Sequence, residues 1–386
     1  MSVSKINLSL KLGKFLPTAA PLSIMEALNS AQITQTDSGP CTFQLTFNAD
    51  RTSAFSADYP ILSSPYLKAT NRVIISVTIN SLEKVLMDGF ITHTEINYSE
   101  QSGAATFTVT GEDISAMMNI YEFSLEYPGL GDDLIVEAVL SKYKYLSVDA
   151  LVIPSLTSPI SDPLDKVPVQ NGTDRDYLNS LAQQNGYVFR VRPFLKDFNS
   201  YRNIAYWGPL IKVGLPQKVL NVNLGAATNV ENLNFNYDAL AGTLVHGMLQ
   251  DNEPPFDDAP VITTQALRLQ PMALYDGLTI NQPFVRNTAF TDSKLGILMG
   301  LKDAQNTTDR SVEKVVSGSG TVDTLRYGDI IETPGVVPVR GMGASYDGNY
   351  YVSQVVHKIS KGEYKQSFNL QREGLGSTID KVGEVI

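Results

Sequence analysis

A chain of 386 residues with 43% hydrophobic side chains is long enough for roughly two to four domains with real cores. Its 40 Asp and Glu against 30 Lys and Arg leave a formal charge of -10, which argues against a nucleic-acid binder, because phosphate affinity rests on clustered cations. One cysteine, Cys41, cannot form an internal disulfide, so the fold does not depend on an oxidising compartment, and no stretch reaches the roughly 18 apolar residues of a membrane span.

At the N-terminus Ile6, Leu8, Leu10 and Leu12 alternate with Asn7, Ser9 and Lys11, a strand pattern without the apolar run of a signal peptide. From Gln32 to Gly111 the signals are nearly all strand: Thr42 to Asn48, Arg72 to Asn80, Phe90 to Tyr98 and Ala104 to Thr110 each alternate apolar and polar residues. Short alternating strands at this spacing predict a barrel or sandwich. Asp113 is placed to cap a short helix whose Ile114, Met117, Met118 and Tyr121 share a face.

Two helices with clear punctuation follow. Asp132 or Asp133 opens the first, with Leu134, Ile135, Ala138, Val139 and Tyr143 inward. Thr173 opens the second, with Asp176 three residues on and Gly186 at its end; Tyr177, Leu178, Leu181 and Ala182 form its stripe. Tyr187 to Arg192 then enters a strand, with Ile204 to Gly208 as its hairpin partner, and Leu220 to Asp238 resumes strand. Between 249 and 317 the pattern weakens into Pro, Asp, Asn and Thr, with one helix predicted from Asp292 to Asn306. Gly318-Ser319-Gly320 reads as a flexible joint. Three strands close the chain, Gly335 to Gly343, Tyr350 to Ser360 and Tyr364 to Arg372, with turns at Asp347-Gly348 and Lys361-Gly362.

Residues that could carry chemistry do not gather into a motif. His93, His246 and His357 lie far apart and outside any metal-ligand spacing, and neither a G-x-S-x-G elbow nor a phosphate loop is present. The acidic pairs Asp132-Asp133 and Asp257-Asp258 fit a helix start and a Pro-rich loop better than a glycosidase's two carboxylates. No catalytic, metal or cofactor-binding residue is expected. The 18 tyrosines, among them Tyr121, Tyr127, Tyr143, Tyr145 and Tyr187, fit core or interface burial better than sugar stacking.

Three stretches together resemble the baseplate hub proteins of contractile injection machines, the late control D protein of phage baseplates and the hub portion of VgrG spikes. The first is Gly89-Phe90-Ile91, Glu95, Gly111, Asp113 and Ser115; the second is Asp176, Leu178, Leu181, Ala182, Gly186, Tyr187, Phe189 and Trp207-Gly208. The third is Gly341, Gly343, Tyr350, Tyr351, Val352, Val355, His357, Tyr364, Phe368 and Arg372. The match covers most of the chain and fails at 249 to 317.

The resemblance implies a mainly β fold with a few helices (α+β): two tail-tube-like antiparallel β-barrel domains plus a smaller inserted domain. Residues 1–122 would form the first barrel, completed by 216–240, and 123–215 the second tube-like domain with its two helices, completed by 318–376. Residues 241–317 would be a peripheral insertion and 377–386 a C-terminal tail. It further implies a structural hub, not an enzyme and without a cofactor. Three copies would form a pseudo-sixfold ring that joins the tail tube to the central spike and nucleates tube assembly. Edge-strand pairing and isologous barrel contacts would hold that ring. The implied partners are further copies of itself, the tail tube protein, the spike protein and other baseplate proteins, with DNA passing through the channel without specific binding and no membrane insertion. The implied location is the virion's tail baseplate, assembled in host cytoplasm. Because the sequence stops soon after Arg372, the spike is expected to be a separate protein. A type VI-like or extracellular injection hub is the alternative, and a carbohydrate-binding or cell-wall-degrading tail protein is the alternative of another class.

Overall fold

The computed structural model describes residues 6–14, 16–49, 59–99, 104–155, 167–197, 200–210, 212, 214–249, 259–267, 270–290 and 297–379. Within them the chain is mostly β with short helices, in two compact units: 1–209 with 356–365, and 210–355 with 366–386.

The first unit is built on an antiparallel sheet. Its strands run, in spatial order, Leu28–Thr36, Thr42–Ala49, Ala104–Asp113, Leu82–Ser99, Arg72–Ile79, Asn7–Gly13 and Thr18–Ala19. The alternation read from the sequence is the alternation of burial: Phe43, Leu45 and Phe47 are inward, while Thr42, Gln44 and Asn48 are exposed. Arg72–Ile79 departs from it, being buried on both faces except at Thr78. The second face is covered in part by a helical layer, Ile114–Asn119, Asp132–Ser141 and Asp174–Gln184. These helices share one core with the hairpin Tyr187–Asp197 and Ser200–Pro209; Phe90, Ile135, Val139, Leu178, Phe189 and Trp207 are all in it. Removing Trp207 from water, where it is 0% exposed, supplies on the order of 3 kcal/mol or more to that core.

The second unit holds the sheet Asn232–Tyr237, Val316–Asp323, Glu363–Arg372, Gly348–Ser360, Gly335–Arg340 and Leu220–Asn221, in that order. Tyr350, Val352, Val355, Phe368 and Leu370 form its core with Val312, Val316 and Tyr327. The tip of the long hairpin, 356–365, clusters with the first unit. The described strands do not close into a barrel.

Three sequence readings change. Leu220–Asn221 and Asn232–Tyr237 pair with Gly335–Arg340 and Val316–Asp323, so 216–240 lies with the second unit, and 123–209 lies with the first. Gly318 and Gly320 are not a joint: both lie inside Val316–Asp323, where a Cβ would meet the Phe235 ring at 2.5 Å and the Phe368 ring at 2.7 Å. The weakly patterned region contains a small sheet, Ala259–Ile262, Thr243–Leu249 and Arg286–Ala289, covered by the helix Ile297–Val312 through Val245, Leu249, Val261 and Ala304. That helix ends later than the one predicted, at Val312 rather than Asn306, and the first residues of the prediction, like Asp257-Asp258 and most of the tail 377–386, fall outside the described residues.

Candidate functional site

The positions that carry the sequence resemblance are mostly buried. Gly89 and Gly111 sit on neighbouring strands, where a Cβ on either would lie 2.0 Å from the Glu112 carbonyl or 2.2 Å from that of Phe90. The close approach lets the chain turn at Asp113. Its buried carboxylate accepts the Ser115 amide at 2.9 Å, capping Ile114–Asn119, and the Cys41 amide at 2.6 Å. Burial raises the Asp113 pKa, an effect the two amides oppose.

Thr173 caps the next helix by accepting the Asp176 amide at 3.1 Å, and Gly186, at φ +66°, ends the turn after it. Asp176 itself is exposed. Its neighbour Asp174 does more: fully buried, it accepts from Lys142 Nζ at 3.0 Å, Tyr143 OH at 2.7 Å and Gln170 Nε2 at 2.8 Å. Burial and this bond push the Tyr143 pKa up. Leu178, Leu181, Phe189 and Trp207 fill the core beneath, where Trp207 meets the Tyr187 ring edge-on at 4.8 Å.

In the closing hairpin, Gly341 and Gly343 have φ of +100° and +92°, and a Cβ on Gly341 would lie 1.9 Å from the Val222 carbonyl. Tyr350 stacks on Phe235 at 4.8 Å and donates to the Tyr346 carbonyl at 2.7 Å; Tyr351 packs with Met272 and Val336; Phe368 is in the main core of the unit. Arg372, 1% exposed, donates to the carbonyls of Gly374, Asp347 and Ser345 at 2.9, 2.9 and 2.7 Å, with its guanidinium 4.3 Å from the Tyr350 ring centre. Burial lowers its pKa. His357, at the hairpin tip in the first unit, shares hydrogen bonds with Tyr364 OH at 2.7 Å and Gln35 Oε1 at 3.2 Å. Burial, and then the charge of Arg192, push its pKa down to about 3.

Sequence reasoning missed the most buried ion pair among the described residues. Arg72 Nε and Nη2 donate to Asp88 at 2.7 and 2.6 Å, and Asn203 Nδ2 donates to the same carboxylate at 2.7 Å. An arginine opening a largely apolar strand was the signal. Arg192 was missed too: it donates to the Thr36 carbonyl and, at 3.0 Å, to Cys41 Sγ. His93 and His246 are exposed in strands remote in sequence, and among the described residues no three His, Cys, Asp or Glu gather as a metal site.

What these residues leave to solvent is a sheet face of small polar side chains. Gln32, Thr34, Thr42, Gln44, Thr92 and Thr110 line a shallow depression of about 230 Å³, bordered by Glu112, which pairs with Arg175 at 2.6 Å. Such a face offers hydroxyls and amides but no activated nucleophile.

The fold is that of known tail proteins. A tail protein from Neisseria meningitidis MC58 is 13% identical with a TM-score of 0.61, over 96% of this chain and 98% of that one. The 43 kDa tail protein of prophage MuSo2 from Shewanella oneidensis is 14% identical with the same TM-score, over 96% and 99%. An E. coli component of the type VI secretion system, described as structurally similar to the T4 bacteriophage tail proteins gp27 and gp5, is 12% identical at a TM-score of 0.52, over 93% of this chain and 76% of that one. No family model matches the chain, and no curated protein does.

Proposed function

We propose that this chain is the structural baseplate hub of a contractile phage tail: three copies form a pseudo-sixfold ring that joins the tail tube to the central spike and nucleates the tube. The observation that carries the reading is end-to-end likeness in fold to two tail proteins, with 96% of this chain aligned to nearly the whole of each. Each copy contributes two tube-like halves, so that three copies present six similar faces. A threefold ring closes only through two different patches per subunit, which replaces the isologous contact expected from the sequence with a heterologous one. The buried, hydrogen-bonded signature residues suit a subunit that transmits load without turnover. Spike, tube and neighbouring baseplate proteins are its partners, in the virion, and DNA crosses the ring without a specific site.

The likeness to a type VI component supports a second reading, the hub of a type VI-like machine. Light scattering across a concentration range, with tube and spike proteins of each machine added in turn, tests both. Three chains of 42.2 kDa make 126.6 kDa. A mass there, with the tube or spike of one machine promoting it, supports the hub and names the machine. A monomer under every condition removes the hub and brings glycan binding forward.

A further inference from the structure

In the first unit the part of the sheet face that the helical layer leaves open is built almost wholly of Thr, Ser, Asn and Gln. Gln32, Gln44 and Thr110 stand side by side on three strands, with His93 on the fourth. Ser30, Thr46 and Thr108 form the next row with Glu95, and Asn48, Thr106 and Asn97 the row beyond. All are exposed or half-buried, while the alternate residues Phe43, Leu45, Phe47 and Val109 are buried behind them. At the opposite end Thr34 and Thr42 lead to Glu112, whose carboxylate pairs with Arg175 of the helix Asp174–Gln184 at 2.6 Å. These rows hold no Lys or Arg and no aliphatic side chain, and Glu95 is their one carboxylate besides Glu112.

Three ordinary kinds of surface differ from this one. A solvated face mixes both signs of charge over roughly a quarter to a third of its positions. A docking face centres on aromatic or aliphatic anchors, and a face that holds nucleic acid presents clustered cations. Neutral hydroxyls and amides instead keep a surface wet while giving a polyanion neither counterion release to hold it nor a field to repel it.

We propose that this face lines the passage through the ring and is the wall over which double-stranded DNA slides. This rests on the hub reading. With roughly 4.8 Å between strands and 6.8 Å between rows, the face measures roughly 14 Å each way, and a duplex presents one phosphate per roughly 1.7 Å of its axis. Several phosphates therefore lie over the face at once, and a single Lys in each copy would hold them. A protein cargo, carrying both signs, gains nothing from a wall without cations, so DNA is the occupant that the composition fits.

The test uses the full chain, dilute and in the 126.6 kDa species formed by three chains of 42.2 kDa, with the spike protein added where assembly needs it. Gln44→Cys, at the centre of the face, is treated with a small maleimide and with one carried on a long polyethylene glycol; the native Cys41 is buried and stays silent. Both reagents should label the dilute chain. In the ring the small one should keep its rate while the polymer slows at least tenfold. Unchanged rates for both place the face outside the ring, and loss of both places it in a contact between copies; either result overturns the lining and leaves the hub standing. The double variant Gln32→Lys, Asn48→Lys, at exposed positions, should keep its circular dichroism and its assembly. Its ring should bind linear duplex at least tenfold more tightly than the unaltered ring, less so as salt rises, and a covalently closed circle of the same sequence no more tightly. An equal gain for circle and line, a lysine ring that gains nothing, or an unaltered ring that already holds linear duplex overturns the DNA wall. Should the lysine variant not assemble, the cysteine variant still decides where the face lies. A monomer throughout removes both readings.

Discussion

Each unit buries an arginine, and the two solve its charge differently. Arg72 in the first unit meets a carboxylate head-on, Asp88, itself held by Asn203, so two charges cancel inside the core. Arg372 in the second unit makes no salt bridge among the described residues. Three backbone carbonyls and the face of Tyr350 hold it instead. The first solution is made of side chains and can be changed as a pair. The second is made of main chain, so the arginine's fit depends on the turn 341–348 and on Gly374 keeping their course. One unit is locked by side-chain networks, the other by backbone geometry.

The largest effects test that contrast directly. Replacing Arg372 by Met takes the donor from the Gly374 and Asp347 carbonyls, while the Ser345 carbonyl keeps the Gly376 amide at 2.9 Å, and should cost roughly 4 kcal/mol, at 1–3 kcal/mol for each unsatisfied group after relaxation. Arg72→Met strands Asp88 and should cost roughly 3–5 kcal/mol, and adding Asp88→Leu should return more than half of it. Urea unfolding followed by exchange in segments of each unit reads both. If a second substitution at Glu373 rescued Arg372→Met, the second unit would hold an ion pair after all; Glu373 instead accepts the Met272 and Ala273 amides.

Acid should separate the units next. His357 is neutral in the folded first unit, with its pKa pushed down to about 3, while the unfolded chain takes its proton near 6.5. Its contribution is therefore complete above pH 6.5 and is lost as pH falls towards 3, worth about 4 kcal/mol across that window by linkage. Burial raises Asp113, so its protonation in acid relieves a cost and takes something off the slope. Segments of the first unit should open first as pH falls, and His357→Gln should flatten the dependence. Equal opening of both units at pH 4 would count against a first unit locked by its titratable network.

How much of this was legible follows the same line. Period-2 patterns placed Thr42–Ala49, Arg72–Ile79 and the Gly348–Ser360 hairpin, and the Thr173 and Asp113 caps were readable because a cap and its amide are two or three residues apart. The Arg72 and Asp88 joint was not, since it depends on strand register, and Arg372's partners are carbonyls that every residue carries. Glycines misled in one place: Gly318 and Gly320 suggested freedom where ring packing forbids a side chain. In 241–317 the strands Ala259–Ile262 and Arg286–Ala289, four residues each, are too short for a period to register.

A smaller effect sharpens the backbone half of the comparison. Gly341→Ala drives a methyl to 1.9 Å from the Val222 carbonyl at φ +100°, whereas Gly343, at φ +92°, has nothing within 4 Å. The first should cost roughly 3 kcal/mol, clash and dihedral strain together, and the second about 1 kcal/mol for the dihedral alone. Calorimetry on the two single variants separates packing from conformation at positions two residues apart.

The smallest effect concerns the side-chain half. Thr173 Oγ1 accepts the Asp176 amide and donates to Asn119 Oδ1 at 2.9 Å, so one hydroxyl caps Asp174–Gln184 and ties it to the end of Ile114–Asn119. Thr173→Ala should cost about 1 kcal/mol for the cap and little for the partly exposed Asn119, while Thr173→Ser should stay within about 0.5 kcal/mol. A loss near 3 kcal/mol would mean that the cap also holds the adjoining Asp174 in place for Lys142, Tyr143 and Gln170. In that case Asp174→Asn combined with Thr173→Ala should cost less than the sum of the two alone, because both would break one network.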